Sequence, residues 1–305
     1  MGKNIDLHMH SLYSDDGELS PEDIIKIGKK EGMDIMALTD HNSVKGVDEM
    51  IKHGEEAGIR IISGVEIDCV YKGINLHMLG YGIDYKRKEF IEIEEEIFKK
   101  EIAIARTKIE KLKENTNLIV DEEKIFEIAN GKIVTGEIIG EVVLTEKQNR
   151  NNFLLREYFN NGAKSDMPFV HFYWDFFSQG KIAYVPIEFR DMSEIITLIK
   201  DSGGLAVLAH PGNNFKDCLE VVDDIIKERI DGIEVFSTYH SPEQIDYFYE
   251  RAKANNLLLT FGSDFHGKNK PNIRLKGYPI PKKYKEIKVS RRFYRKIKII
   301  KKETD

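Results

Sequence analysis

Apolar residues along the chain gather in short runs. Seven stand out: Ile5–His10, Asp34–His41, Ile59–Val70, Leu76–Ile83, Leu205–His210, Gly232–Ser237 and Leu257–His266. Most are separated by segments whose apolar residues recur at helical spacing. "SPEDIIKIGKKEG" carries Ser20 as N-cap, Pro21 at the first helical position, Glu22 and Asp23 in the first turn, and Gly32 as the stop. "SPEQIDYFYERAKANN" (241–256) repeats that logic. Strands alternating with helices predict a parallel α/β fold.

One link departs from the alternation. Lys72–Gly73 has the form of a two-residue hairpin loop. That loop pairs Tyr71 with Ile74, sets Asp68 opposite His77 and Glu66 opposite Leu79, and makes Glu66 and His77 diagonal neighbours on one face. Residues 86–175 also break the pattern. "RKEFIEIEEEIFKKEIAIARTKIEKLKEN" reads as one long charged amphipathic helix, with more helical pattern through Asn160. The expected organisation is a discontinuous domain over 1–85 and 176–280, a helical insertion over 86–175 that caps it, and a tail over 281–305.

Composition narrows the class. The chain has 305 residues, 41% of them hydrophobic, enough for a sizeable core. No long apolar run suggests a membrane span, and the first residues have no signal-peptide core. Two cysteines, Cys69 and Cys218, form no framework, which fits a reducing, cytoplasmic setting. Net charge is −6, yet Pro281–Asp305 holds eleven Lys/Arg against three acids. Such a tail either meets a polyanion or is a solvated terminus.

The chemistry sits where the strands end. "IDLHMH" carries His8 and His10 on one face, because residues i and i+2 of a strand point the same way. Asp15 follows in the next loop. "ALTDH" supplies Asp40 and His41, "SGVEI" Glu66, the hairpin His77, "AVLAHPG" His210, and "FGSDFH" Asp264 and His266. His53, His171 and His240 lie outside these places. One such histidine is unremarkable as a packing residue; eight or nine ligand-type residues at successive strand ends are not.

Geometry and ligand type extend this reading. Seven strands about 4.8 Å apart in an open sheet would span roughly 29 Å, and ligands from the first and last could not meet. A closed barrel gathers all strand ends at one mouth, where β/α-barrel active sites lie. Imidazole and carboxylate without thiolate suit Zn, Mn or Fe. The set is too large for one ion, so two or three divalent ions are expected, with Glu66 placed to serve two. Such a cluster activates water and clamps the oxygens of a phosphoester displacement. There is no GxSxG elbow, GxxxxGK[ST] loop, GxGxxG turn or CxxC pair.

"HMHSLYSDDG", "LTDH", "GVEI", "LHMLGY", "AHPG" and "GSDFH", in that order, resemble the polymerase-and-histidinol-phosphatase (PHP) phosphoesterases. The resemblance implies a distorted (β/α)7 barrel with an inserted helical subdomain and a three-ion site. It implies one ion held by His8, His10, Glu66 and Asp264, a second by Glu66, His77 and His210, and a third by Asp15, His41 and His266. The reacting water would be held by Glu66, His210 and Asp264. The insertion and "GKIAYVP" (180–186) are similar to the branch acting on nucleoside 3′,5′-bisphosphates and RNA 5′ ends, which makes Lys181 a phosphate ligand by similarity. Three basic positions of that branch are replaced here, within 135–140 and at Gln179 and Asn213. Either phosphate recognition uses other groups, with Lys181, Arg190, Lys268 and Arg274 as candidates, or the substrate differs from that branch's.

Three functions follow as expectations. The first is a metal-dependent phosphoesterase acting on a nucleotide or short RNA or DNA. The second is a phosphatase of a small phosphomonoester such as histidinol phosphate. The third is a non-catalytic metal-binding module, which retention of the whole ligand set opposes.

Overall fold

The computed structural model describes residues 4–215, 218–277 and 282–284; nearly all of the basic tail therefore lies outside the described residues. Strands β1 (Ile5–Asp6), β2 (Ile35–Ala37) and β3 (Arg60–Ile62) form a parallel sheet in that order. Strands β4 (Gly64–Tyr71), β5 (Ile74–Tyr81), β6 (Leu205–Leu208), β7 (Gly232–Ser237) and β8 (Leu258–Gly262) form a second sheet, also in chain order. There β5 runs antiparallel to both neighbours, as a hairpin strand must, while β6, β7 and β8 are parallel.

Backbone bonds join the two sheets at both edges. His41 bridges Glu66, the Glu66 N–H donates to Asp40 O at 3.1 Å, and the Asn42 N–H donates to Glu66 O at 2.6 Å. At the other edge Met9 bridges Phe265, and the Asp264 N–H donates to His8 O at 2.9 Å. The close approach of β1 and β8 requires Gly262: a Cβ there would lie 2.1 Å from His8 Cβ.

Several of the expected strands are cut shorter or divided. Ile5–His10 keeps ladder pairing only over Ile5–Asp6, after which the chain turns to the last strand through Met9. Ile59–Val70 divides at Ser63, whose hydroxyl donates to Ile83 O at 2.8 Å, so β3 pairs with β2 and β4 with β5.

Helices α1 (Pro21–Lys30) and α2 (Val47–Ala57) connect the first strands. Ser20 caps α1 by accepting the Asp23 N–H, as its sequence requires. Between β5 and β6 come α3 (Lys88–Asn115), α4 (Glu122–Ala129), α5 (Gly136–Thr145), α6 (Pro168–Phe176) and α7 (Met192–Asp201). Then follow α8 (Pro211–Asn214), α9 (Val221–Lys227) and α10 (Pro242–Ala254), the last opened by a complete capping box from Ser241 and Gln244.

Apolar burial falls into separate clusters. The largest lies between the sheets and their helices and includes Ile35, Leu79, Val207, Ile233 and Phe248. Helices α3–α6 enclose one of their own around Ile109, Val134, Ile139, Leu155 and Phe172. These helices meet the loops at the strand ends: Lys132 Nζ donates to Leu12 O at 3.0 Å, and Trp174 lies 6.1 Å from Tyr239, ring to ring.

Candidate metal centre

Hairpin register sets the middle of the site. Lys72 and Gly73, both at positive φ (49° and 80°), form the turn. Tyr71 pairs with Ile74, Asp68 with His77 and Glu66 with Leu79, as the two-residue loop dictates. Gln179, at one of the replaced basic positions, holds this turn: it accepts the Asn75 N–H at 3.2 Å and donates to Gly73 O at 2.7 Å.

Around Glu66 the strand ends converge. Its Oε1 lies 2.9 Å from both His77 Nδ1 and His210 Nε2. Its Oε2 lies 2.9 Å from His8 Nε2, 3.1 Å from His10 Nε2 and 3.6 Å from His41 Nδ1. Asp264 Oδ1 completes one group, 3.2 Å from His8 Nε2 and 3.1 Å from His10 Nε2. A further group joins His10, Asp16, His41 and His266, with Asp16 Oδ2 3.0 Å from His266 Nε2. In each group the nitrogens and oxygens lie within 4.8 Å of one another. Two of these residues, His210 and Asp264, hold positive φ (21° and 60°), backbone strain of about 1–3 kcal/mol each just beyond the strands.

A second layer fixes the ligand atoms. Glu234 Oε1 lies 2.9 Å from His8 Nδ1, which leaves Nε2 for the cluster, and Glu234 Oε2 accepts the His210 N–H at 2.9 Å. Asp264 Oδ2 accepts from Tyr239 Oη at 2.5 Å and from Lys270 Nζ at 2.7 Å, so Oδ1 faces the histidines. Asp40 accepts the Ser11 N–H and hydroxyl at 2.5 and 2.8 Å; burial pushes its pKa up to about 7.

Charge in this place is dense. Burial disfavours the imidazolium of His8, but Glu234, Glu66 and Asp264 outweigh it and hold its pKa well above the ordinary value. Burial likewise opposes ionisation of Glu66, and His8, His41 and His77 overcome it, holding the carboxyl well below its usual range. Burial, then His266 and His41, push His10 down to about 4. Most of the cluster is sealed; His77 and His41 form its open edge, their side chains 31% and 16% exposed.

Asp15 requires correction. The structure places Asp16, not Asp15, with His10, His41 and His266. The intervening turn decides this: Ser14 Oγ donates to Asp16 Oδ1 at 3.0 Å, and Gly17 lets the chain fold back, since a Cβ there would lie 1.9 Å from Ser11 O. Burial, and then the fields of Asp16, Glu101 and Asp68, raise the pKa of Asp15 well above normal. Adjacent aspartates give a sequence no means of choosing between them.

Of the candidate phosphate ligands, Arg190 is tied to Glu96 of α3 through Nε and Nη2, at 3.0 and 2.7 Å. Lys181 is exposed in the turn after α6. Lys268 Nζ lies 3.4 Å from Glu141. Arg274 is exposed, with no ion pair to a described residue. Within 135–140 the chain presents Glu137, buried and raised to about 7 by burial and then by Asp16. Asn213 donates its backbone N–H to His210 O at 2.9 Å. His240 packs in the core, while His53 and His171 pair with Glu56 and Asp166. Glu234, Tyr239 and Lys270 are additions; only Glu234, an acid inside the apolar run "GIEVFS", left a trace in the sequence.

The donors fit divalent cations. His10 Nε2, His41 Nδ1, His210 Nδ1 and His266 Nε2 are buried without a hydrogen-bond partner, although carboxylate oxygens lie close to three of them. Buried polar atoms are rarely left so. Nitrogen and oxygen donors without thiolate suit Mn, Fe or Zn; Cys69 is buried in the hairpin with Sγ 3.6 Å from Leu76 O, and Cys218 is exposed.

Fold and site together describe a metal-dependent hydrolase of phosphoesters, and the comparisons agree. A PHP domain model matches residues 6–266, and the chain belongs to that family. A 5′-3′ exoribonuclease of Haemophilus influenzae is 27% identical over 272 residues, 87% of this chain and 91% of its own length. A 3′,5′-nucleoside bisphosphate phosphatase of Chromobacterium violaceum is 29% identical over 86% of this chain and 87% of its own length. A phosphoribosyl 1,2-cyclic phosphate 1,2-diphosphodiesterase of Eggerthella lenta is 26% identical over 86% and 94%. A solved structure from Bifidobacterium adolescentis shares the fold, with a TM-score of 0.71 at 24% identity, covering 94% of this chain and 96% of its own. Among the described residues no helix is long and apolar enough to cross a membrane.

Proposed function

We propose that this chain hydrolyses a phosphoester of a nucleotide or short oligonucleotide. Two to three divalent ions would be held by His8, His10, Asp16, His41, Glu66, His77, His210, Asp264 and His266. One observation carries the proposal: the two oxygens of Glu66 face different histidines, His77 and His210 on one side, His8, His10 and His41 on the other. Bound ions there supply neutralisation of phosphoryl charge and a lowered pKa for water.

The residues do the positioning. Glu234 fixes the tautomer of His8. Tyr239 and Lys270 orient Asp264. His41 and His77, on the open edge, give the ester its entry. The joins at His41–Glu66 and Met9–Phe265 support a distorted (β/α)7 barrel in which β3 and β4 act as one bent strand, capped by residues 86–175. Relatives that act on nucleoside bisphosphates and RNA support the substrate class.

The test is a substrate panel on protein reconstituted with Mn, Fe or Zn: adenosine 3′,5′-bisphosphate, a 5′-phosphorylated oligoribonucleotide, histidinol phosphate and p-nitrophenyl phosphate. The highest kcat/KM is expected on one of the first two. A higher value on histidinol phosphate overturns the nucleotide assignment, and less than one equivalent of metal by elemental analysis overturns the metal centre.

A further inference from the structure

Beyond the last strand, the chain from Ile273 to Gly277 alternates. Ile273, Leu275 and Gly277 are buried; Asn272, Arg274 and Lys276 are exposed. Ile273 and Leu275 pack among Met9, Met36 and Phe265, beneath the loops of the metal centre. The inward residues thus anchor this stretch, which bends at Leu275 and Lys276 and leaves Arg274 and Lys276 exposed.

The outward face lines a cleft of about 370 Å³. Met167, just before α6, forms part of another wall, and Tyr239 and Ser263 line it too. Tyr239 links the cleft to the candidate centre, for its hydroxyl donates to Asp264 Oδ2 at 2.5 Å. Lys270 reaches the same oxygen at 2.7 Å and lies 5.3 Å from the Tyr239 ring centre. Lys270 is buried and paired with Asp264, so the cations that line the cleft itself are Arg274 and Lys276.

Among the described residues several cations of the rim are paired with acids, though Lys132, which meets Leu12, and Lys181 are not. Arg190 is neutralised by Glu96, Lys268 by Glu141 and Lys45 by Glu94. Arg274 and Lys276 form no ion pair with a described residue. Among the described residues the acid lining the cleft is Asp166, which is bonded to His171 at 3.1 Å. Two cations without an ion pair among the described residues draw an anion to this face. Two exposed cations in one cleft suit the phosphates of a single strand, and Met167, Ile273 and the Tyr239 ring, which line the same cleft, offer apolar surface to a base. A nucleoside monophosphate bound at the metals has no second phosphate to place here.

We propose that this cleft is a binding track for the part of a single-stranded nucleic acid lying beyond the ester that is cleaved. The proposal rests on the nucleotide reading given above and names a recognition site for it. Its test uses the full-length, metal-loaded protein, wild type and R274A/K276A, with 5′-phosphorylated uridine mono-, tri- and pentanucleotides. Affinity is read by fluorescence anisotropy and turnover separately. Wild type should bind the pentanucleotide at least tenfold more tightly than the mononucleotide. The double variant should lose most of that advantage and about one to two units of salt slope; R274K/K276R should keep most of it. An unchanged length advantage in R274A/K276A overturns the track, as does equal weakening for mono- and pentanucleotide or a wild type indifferent to length. Length-dependent binding lost in the variant, with no turnover of any oligomer by wild type, supports the track and overturns the hydrolytic reading instead.

Discussion

Glu234 and His8 form a buried pair, Oε1 to Nδ1 at 2.9 Å, and the same carboxylate reaches the backbone N–H of His210 through its other oxygen. One strand residue thus orients two candidate ligands from two other strand ends. Glu234→Gln brings an amide NH₂ against one of two donors and cannot satisfy both. The variant should fold and bind metal about 10–100-fold more weakly, the usual loss when a partner behind a ligand is removed. Competition with a coloured chelator measures this; wild-type affinity in the variant would remove the orienting role.

Glu66 and His210 should fail differently. Glu66 meets five imidazoles, whereas His210 meets the cluster through Glu66. Glu66→Ala should lower occupancy by more than one ion and cut turnover by more than about 100-fold, beyond what removing an outer partner does. His210→Ala should lose about one equivalent. Elemental analysis with turnover under saturating metal decides it, and near wild-type rates in Glu66→Ala would show that this carboxylate is no ligand.

His240 carries a pH dependence away from the centre's chemistry. Its Nδ1–H donates to Val235 O at 2.9 Å and its Nε2 accepts the Gly212 N–H at 3.0 Å, so the ring is neutral. Burial lowers its pKa from 6.5 to about 4. Between these values the unfolded chain binds more protons than the folded one, so stability rises with pH. The contribution is complete above 6.5 and is lost as pH falls towards 4, amounting to about 2 kcal/mol at pH 5. Urea unfolding of wild type and His240→Leu at pH 7 and pH 5 should give a wild type whose stability falls further by about that amount. Parallel pH profiles would refute it.

The sequence made some of this site legible and hid the rest for physical reasons. Pairing across β4 and β5 was readable because a two-residue turn admits one register, and Glu66 and His77 followed from it. His8 with His10 and Asp264 with His266 were readable from their two-residue spacing at the ends of apolar runs, although all four lie just beyond the ladders of β1 and β8 and Asp264 has a positive φ. Asp16 was not, since its place depends on a loop fold set by Ser14 and Gly17. Arg190 looked available because a sequence does not show the tertiary partner, Glu96, that occupies it. Lys270 left no periodic signal: it reaches Asp264 from a loop. The joins between sheets likewise rest on single bridges, too short to appear as apolar runs.

The Lys72–Gly73 turn has a consequence for how this chain can diverge. Loops of the helical insertion can gain or lose residues, because their cost is mainly loop closure and grows slowly with length. The β4–β5 hairpin has no such latitude. Removing or adding one residue between Glu66 and His77 would turn one strand's side chains to the opposite face. It would replace His77 opposite Asp68 by an apolar neighbour, Leu76 or Met78, and carry the imidazole away from Glu66. Among variants that retain the centre, lineage differences in length should accumulate in the cap and vanish in these few residues, so that hairpin length acts as a marker of descent with function.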